Sequence, residues 1–296
     1  MNTPTTSSPV GPAVALAVLT AIWGYNWVVI KIALVDSPPL TFAALRSGLS
    51  AVALFAVLAA LGRPLKPTRV APMIALGLLQ TTGFVGLVTL ALVTGNAGKS
   101  AVLAYTMPFW TLLLAGPLLG ERMEGRQWVA VSLAALGLIL VLNPGGSRFG
   151  LTASILSLAA AWLWAGANII VKRMALVRSE LLNISAWQTL VGSLGLAALA
   201  LTDTAMINWT GPFVIALAYN VILATALAWV LWLYALNRLS AGATSLASLG
   251  APVFALITAW LQLGETPDPL ETMGMILIVA ALGWLSLMGW QRIAGA

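Results

Sequence analysis

Ten stretches of at least 16 residues in this chain carry no charged side chain, and they succeed one another along its 296 residues. A helix needs about 20 apolar residues to cross the roughly 30 Å hydrocarbon layer of a bilayer. Stretches of that kind repeated ten times make lipid the solvent for most of the chain. Composition agrees, with 60% of residues apolar and 7% charged, against about 25% charged in soluble domains. Strands of a transmembrane barrel would read as segments of about ten residues with alternating polarity, whereas these runs are apolar on every side. The fold class predicted is therefore an all-α polytopic membrane protein. Its ten spans are placed at 12–34, 40–61, 70–93, 97–119, 126–142, 150–172, 181–201, 210–236, 241–263 and 270–290. Residues 1–11 and 291–296 are left as terminal tails, and the short connections leave no room for a soluble domain. The first apolar run is too long for a signal-peptide core, so span 1 is expected to remain in the mature protein.

Lysine and arginine collect on the cytoplasmic side of membrane proteins. With the N-terminus in the cytoplasm, ten of them, from Arg63 to Arg292, fall on the inner side and only Lys31, Lys99 and Arg148 on the outer. Both termini are therefore expected to be cytoplasmic. The net charge of +6 does not imply nucleic acid, because that requires basic residues gathered on one face and here they are scattered singly. Histidine and cysteine are both absent, which removes disulfides, thiolate catalysis, imidazole chemistry and the commonest metal ligands. No cofactor is called for. All eight acidic residues, from Asp36 to Glu271, lie in loops or at span ends, so an intramembrane enzyme has neither nucleophile and base nor metal carboxylates. The same absence leaves no mid-membrane acid to carry a coupling proton or sodium ion, which points to a facilitator or exchanger driven by its cargo.

The two halves resemble each other. Residues 96–121 align without a gap on 240–265 at an offset of 144, pairing Ala97-Gly98 with Ala241-Gly242, Ser100 with Thr244, Pro108 with Pro252, and Gly120-Glu121 with Gly264-Glu265. Each half, 12–142 and 150–290 with a linker at 143–149, holds five spans. An odd number of spans per repeat inverts the second copy in the bilayer. Inverted repeats are the architecture of many secondary transporters, with the substrate site near the midplane between them.

An Ala-Leu near the end of the third span (Ala91-Leu92, Ala235-Leu236), Ala-Gly-x-Ser/Thr opening the fourth, a mid-span proline and a closing Gly-Glu, all found twice, resemble the drug/metabolite transporter superfamily in its ten-span EamA type. The resemblance covers about residues 12–290. Within that family the chain looks most like the bacterial exporters of amino acids, and in particular the aromatic amino acid exporter. The resemblance implies efflux from the cytoplasm across the inner membrane, with spans 1–4 and 6–9 around a central cavity and spans 5 and 10 peripheral. Amino acids are the cargo it implies, and a drug or other metabolite is the alternative. The protein is expected to be a monomer or homodimer.

Polar side chains within spans are disfavoured unless they face a cavity or a partner. Asn26 pairs with Asn168 and Arg46 with Gln188, each at an offset of 142, while Gln80 pairs with Asn220 at 140, anchored by Pro72 and Pro212. Six of the eight cavity helices thus carry a hydrogen-bonding group, as a midplane site for a polar metabolite needs. The competing reading is interhelical glue, worth about 0.6 kcal/mol each. Arg46 sits roughly 9 Å below the outer end of its helix, where it either binds a carboxylate bidentately or snorkels to headgroups; Lys31 and Lys99 are expected to snorkel. Mid-span Pro108 and Pro252 release the carbonyls of Ala104 and Ser248 and act either as hinges or as plain kinks. Tyr105 and Ser248 lie beside them and complete the candidate substrate set. Trp128, Trp209 and Trp290 fit interfacial belts, whereas Trp23, Trp27, Trp162, Trp164, Trp229 and Trp232 lie deeper. Gly116 and Gly120 form a GxxxG close-packing signal, within the protomer or between copies. Glu121 and Glu265 read as helix-end or loop-fixing residues.

Overall fold

The computed structural model describes residues 10–142, 148–174, 180–238 and 250–294, and helix dominates every one of these segments. Among the described residues nine helices are long and apolar enough to cross a membrane. Span 1 is Val10–Ala33, span 2 Pro39–Ala60, span 5 Gly125–Leu142, span 6 Arg148–Met174, span 7 Leu181–Ala200 and span 10 Pro269–Ala294. Span 3 is Val70–Thr94, and span 8 runs over 211–238. Span 9 is described over Gly250–Leu263. Ser248, together with the Ala241-Gly242 and Thr244 half of the repeat, lies outside the described residues. Residues 143–147 of the predicted linker, residues 1–9 and residues 295–296 do too.

Span 4 differs from expectation. It is two helices, Ala97–Ala104 and Met107–Leu119, and the break falls at Tyr105 and Thr106 rather than at Pro108. The physical reason is that proline is tolerated in the first turn of a helix, where its missing N–H has no intrahelical partner. The chain therefore starts a new helix just before Pro108 instead of bending a continuous one over it. Thr106 closes the junction by donating Oγ1–H to Leu103 O (2.6 Å) and accepting from Trp110 Nε1 (3.0 Å).

The helices form a ring in the order 1, 8, 2, 7, 3, 6, 4, 9 and back to 1, while spans 5 and 10 pack on each other outside the edge made by spans 4 and 9. Exchanging spans 1 with 6, 2 with 7, 3 with 8 and 4 with 9 maps this ring onto itself, which is the pseudo-two-fold that an inverted duplication requires. Two further features carry it. Spans 3 and 8 each contain a nine-residue π-helical stretch, Gly77–Val85 and Tyr219–Leu227, at the offset of 142 that also relates Asn26 to Asn168. By that offset Asn220 matches Leu78, two residues from Gln80, so the proline-anchored pairing slips within the span. Spans 4 and 9 both end on a left-handed glycine, Gly120 (φ 70°) and Gly264 (φ 66°). The amide of each glycine bonds four residues back, and that of the following glutamate six back. Gly120 is thus a helix cap, and no other helix lies within 4 Å of the Cβ position at Gly116 or Gly120. Among the described residues, then, neither glycine of the GxxxG spacing serves a close approach of another helix.

Candidate substrate site

Ring neighbours 2 and 8 meet at Arg46 and Asn220. Asn220 is almost fully buried, at 2% exposure, and its Oδ1 accepts from Arg46 Nη1 at 2.5 Å while its Nδ2 donates to Ala216 O at 2.9 Å. At 1.5 Å per residue, Arg46 enters span 2 about 10 Å down from Pro39. Asn220 lies about 13 Å down from Gly211 at the same end of the bundle. The guanidinium reaches inward, away from headgroups, so snorkelling is not what it does here. It also stands 6.0 Å from the centroid of Phe42. A cation in this position is expensive, and among the described residues no carboxylate pairs with it. Asn220 accounts for one of its five N–H donors.

The π-helical stretches shape this surface. A π turn widens the helix and frees carbonyls from the ordinary ladder, and such turns cluster at functional sites. Thr225 Oγ1 caps the Asn220 carbonyl at 2.9 Å and receives Ser50 Oγ at 3.1 Å. The repeat-related contact joins spans 3 and 7, where Thr82 Oγ1 donates to Gly192 O at 2.9 Å. There a Cβ on Gly192 would come within 2.4 Å of Gly77 O, so glycine is needed for the two backbones to meet. Gln80 lies half-buried in this stretch. Gln188 Oε1 on span 7 and Asn26 Oδ1 on span 1 are buried without a hydrogen-bond partner among the described residues, an unusual condition for polar atoms in an interior. Asn168 Nδ2 donates to Thr111 Oγ1 at 3.2 Å across spans 6 and 4. Tyr105, at the span 4 break, packs against both of the larger apolar clusters, and Pro252 is buried in the first described turn of span 9.

Two lysines correct their expected role. Lys31 Nζ donates to Glu265 Oε1 and to Gly95 O, both at 2.6 Å, and Lys99 pairs with Glu271. Each carboxylate stands within reach at the same end of the bundle, so an ion pair inside the protein replaces snorkelling. Glu265 and Glu121 do fix helix ends, Glu121 through Lys172 at 2.8 Å. Trp128 and Trp209 are exposed, as belts require. Of the deeper tryptophans, Trp162 packs at a tilt on Trp110 (4.8 Å), Trp164 meets Phe84 edge to face (4.6 Å) and Trp23 lies tilted against Trp232 (6.0 Å). Sequence reasoning missed Ser50, Thr82 and Thr225, since a lone hydroxyl in an apolar helix resembles many others that bond their own backbone. Their one signal is that Ser50 lies 142 residues before Gly192, the repeat offset.

Two five-helix halves related by a pseudo-two-fold, ringed with polar contacts between spans 2 and 8 and between spans 3 and 7, define a multi-pass membrane transporter. The chain belongs to the EamA-like transporter family, whose profile matches residues 11–143 and again 151–287, once for each half. Among its relatives is the uncharacterized transporter YoaV of Bacillus subtilis (strain 168), 29% identical over 271 residues covering 89% of this chain and 92% of that protein. Another is a probable amino-acid metabolite efflux pump of Salmonella typhimurium, 28% identical and covering 92% of this chain and 93% of that one. A solved crystal structure shares the fold, with a TM-score of 0.66 at 17% identity over 96% of this chain and 99% of its own.

Proposed function

We propose that this chain exports amino acids, aromatic ones among them, and related small metabolites across the bacterial inner membrane by alternating access of its two halves, with both termini in the cytoplasm. The observation that carries the reading is the inward-turned Arg46 guanidinium, held by the amide of Asn220 and unmatched by a carboxylate of the described chain. A fork of N–H donors in a low-dielectric site is built for a carboxylate, and an amino acid brings one. Cargo entering the ring exchanges the single Asn220 bond for a bidentate pair. Its ammonium group then has amide oxygens to donate to, those of Asn26 and Gln188, which lack donors otherwise. Gln80, Tyr105, Asn168 and Ser248 complete the lining, and Pro108 and Pro252, beside the span 4 junction and its repeat counterpart, are the hinges. The relative from Salmonella typhimurium named for amino-acid metabolite efflux supports this cargo class.

Purified protein in liposomes loaded with unlabelled phenylalanine or threonine is expected to take up the labelled amino acid by counterflow, equally with and without a pH gradient. No flux of any amino acid refutes the cargo. Cells protected against lipophilic cations but not against toxic amino acid analogues would transfer the site to drugs.

A further inference from the structure

The two halves share a sequence pattern but not the same degree of closure. Lys31 at the end of span 1 and Glu265 at the end of span 9 are mirrored by Lys172 at the end of span 6, one residue short of the offset that pairs Lys31 with Arg173, and by Glu121 at the end of span 4. Both ion pairs are formed, on opposite faces of the bundle. The Lys31 pair is sheltered, with side chains 28% and 11% exposed, and is tied further to Gly95 O and to the Gly98 amide. The Lys172 pair is formed but solvent-exposed, at 45% and 49%, with the neighbouring Arg173 donating to Leu118 O of span 4 at 2.7 Å.

Helix packing behind the pairs differs in the same sense. A Cβ on Gly24 of span 1 would meet Ala251 O and Phe254 Cβ of span 9 at 2.7 Å, whereas its counterpart Gly166 of span 6 has only Leu79 Cδ1, at 3.9 Å. The positions in span 4 that match Ala251 and Phe254 are Met107 and Trp110, and neither reaches Gly166. The largest apolar cluster, including Trp27, Ile30, Phe42, Leu92, Phe213 and Ala259, also fills the Lys31 end of the ring.

We propose that Lys31–Glu265 and Lys172–Glu121 are two latches that tighten alternately in the transport cycle, and that the structure is the state tightened on the Lys31 face, with the Lys172 pair formed but loosely held. This rests on the alternating-access reading above. In an inverted repeat the opposite state follows by exchanging the conformations of the halves. Lys172–Glu121 then becomes the sheltered pair, Gly166 closes on span 4, and Lys31–Glu265 loosens.

The chain has no cysteine, so a single Gln80→Cys serves as a mid-depth reporter for a membrane-impermeant thiol reagent applied to either side of vesicles. With both latches intact, labelling from the Lys172 face is expected to exceed that from the Lys31 face at least fivefold. Adding Glu265→Gln is expected to reverse the preference, and adding Glu121→Gln to leave it at or above the starting ratio. The exchange Lys31→Glu with Glu265→Lys restores the original ratio. A ratio that neither glutamine variant moves overturns the proposal. Should a charge variant fail to fold, Lys31→Cys with Glu265→Cys gives the same answer: oxidation must stop counterflow and reduction restore it, and undiminished flux in the cross-linked protein overturns the latch. Labelling needs no cargo, so a wrong cargo class and a wrong latch fail separately.

Discussion

Replacing Arg46 by glutamine separates a cargo ligand from a structural residue. A hydrogen bond to a charged group contributes about 1.5–3 kcal/mol. Cargo binding exchanges the one bond from Arg46 to Asn220 for two to a carboxylate, a net gain of about one such bond. At 1.4 kcal/mol per decade, Arg46→Gln is expected to weaken amino acid binding about 10- to 150-fold. Stability moves little, because two effects oppose. Removing a cation from the membrane interior relieves about 2.5–3.5 kcal/mol, and leaving Asn220 Oδ1 short of a donor costs about 1–3 kcal/mol. The assay is counterflow in liposomes with phenylalanine and, in parallel, with the amine that lacks its carboxylate. KM for phenylalanine should rise by that factor while the amine is unaffected, and Arg46→Lys, which keeps the charge but not the fork, should fall between. Equal losses for both cargoes, or none for either, refute the role given to Arg46.

Gly192→Val drives side-chain atoms into a site where a Cβ already stands 2.4 Å from Gly77 O; a loss of more than 3 kcal/mol is expected, read as a collapse of the monodisperse peak in detergent. Gly120→Ala and Gly264→Ala each place a side chain at positive φ and should each lower stability by about 1–2 kcal/mol, measured by thermal denaturation and additive in the double variant. Trp128→Ala, at a position 52% exposed, should leave counterflow unchanged. Cysteines placed singly at Ala97 and Ala241 should be labelled from opposite sides of the membrane, and a shared side refutes the inversion.

Span existence and type were legible because lipid imposes them: a charge-free run of this length admits only a helix, and nine predicted spans have ends within four residues of those observed. The repeat was legible because equal packing tasks in both halves retained equal residues, among them the Gly-Glu closures that prove to be left-handed caps. Arg46 and Asn220 stood out as polar atoms in the wrong solvent, yet nothing local to either says that they touch, since 174 residues separate them. The π-helical stretches were illegible, because a π turn costs hydrogen-bond geometry that only neighbouring helices repay. Lys31 was misread for a related reason. Snorkelling is what an isolated helix end does, and the Glu265 that captures the lysine arrives from a span 234 residues away.

Apolar length, the sidedness of its basic residues and an odd-numbered repeat were enough, by themselves, to determine a ten-helix inverted bundle, because each depends on one helix at a time meeting lipid or water. Which polar groups join, and how tightly each end packs, were decided only when the helices packed. Those outcomes depend on distances between distant segments, and two halves with matching sequence patterns can settle into unequal conformations when closing one end of a ring opens the other.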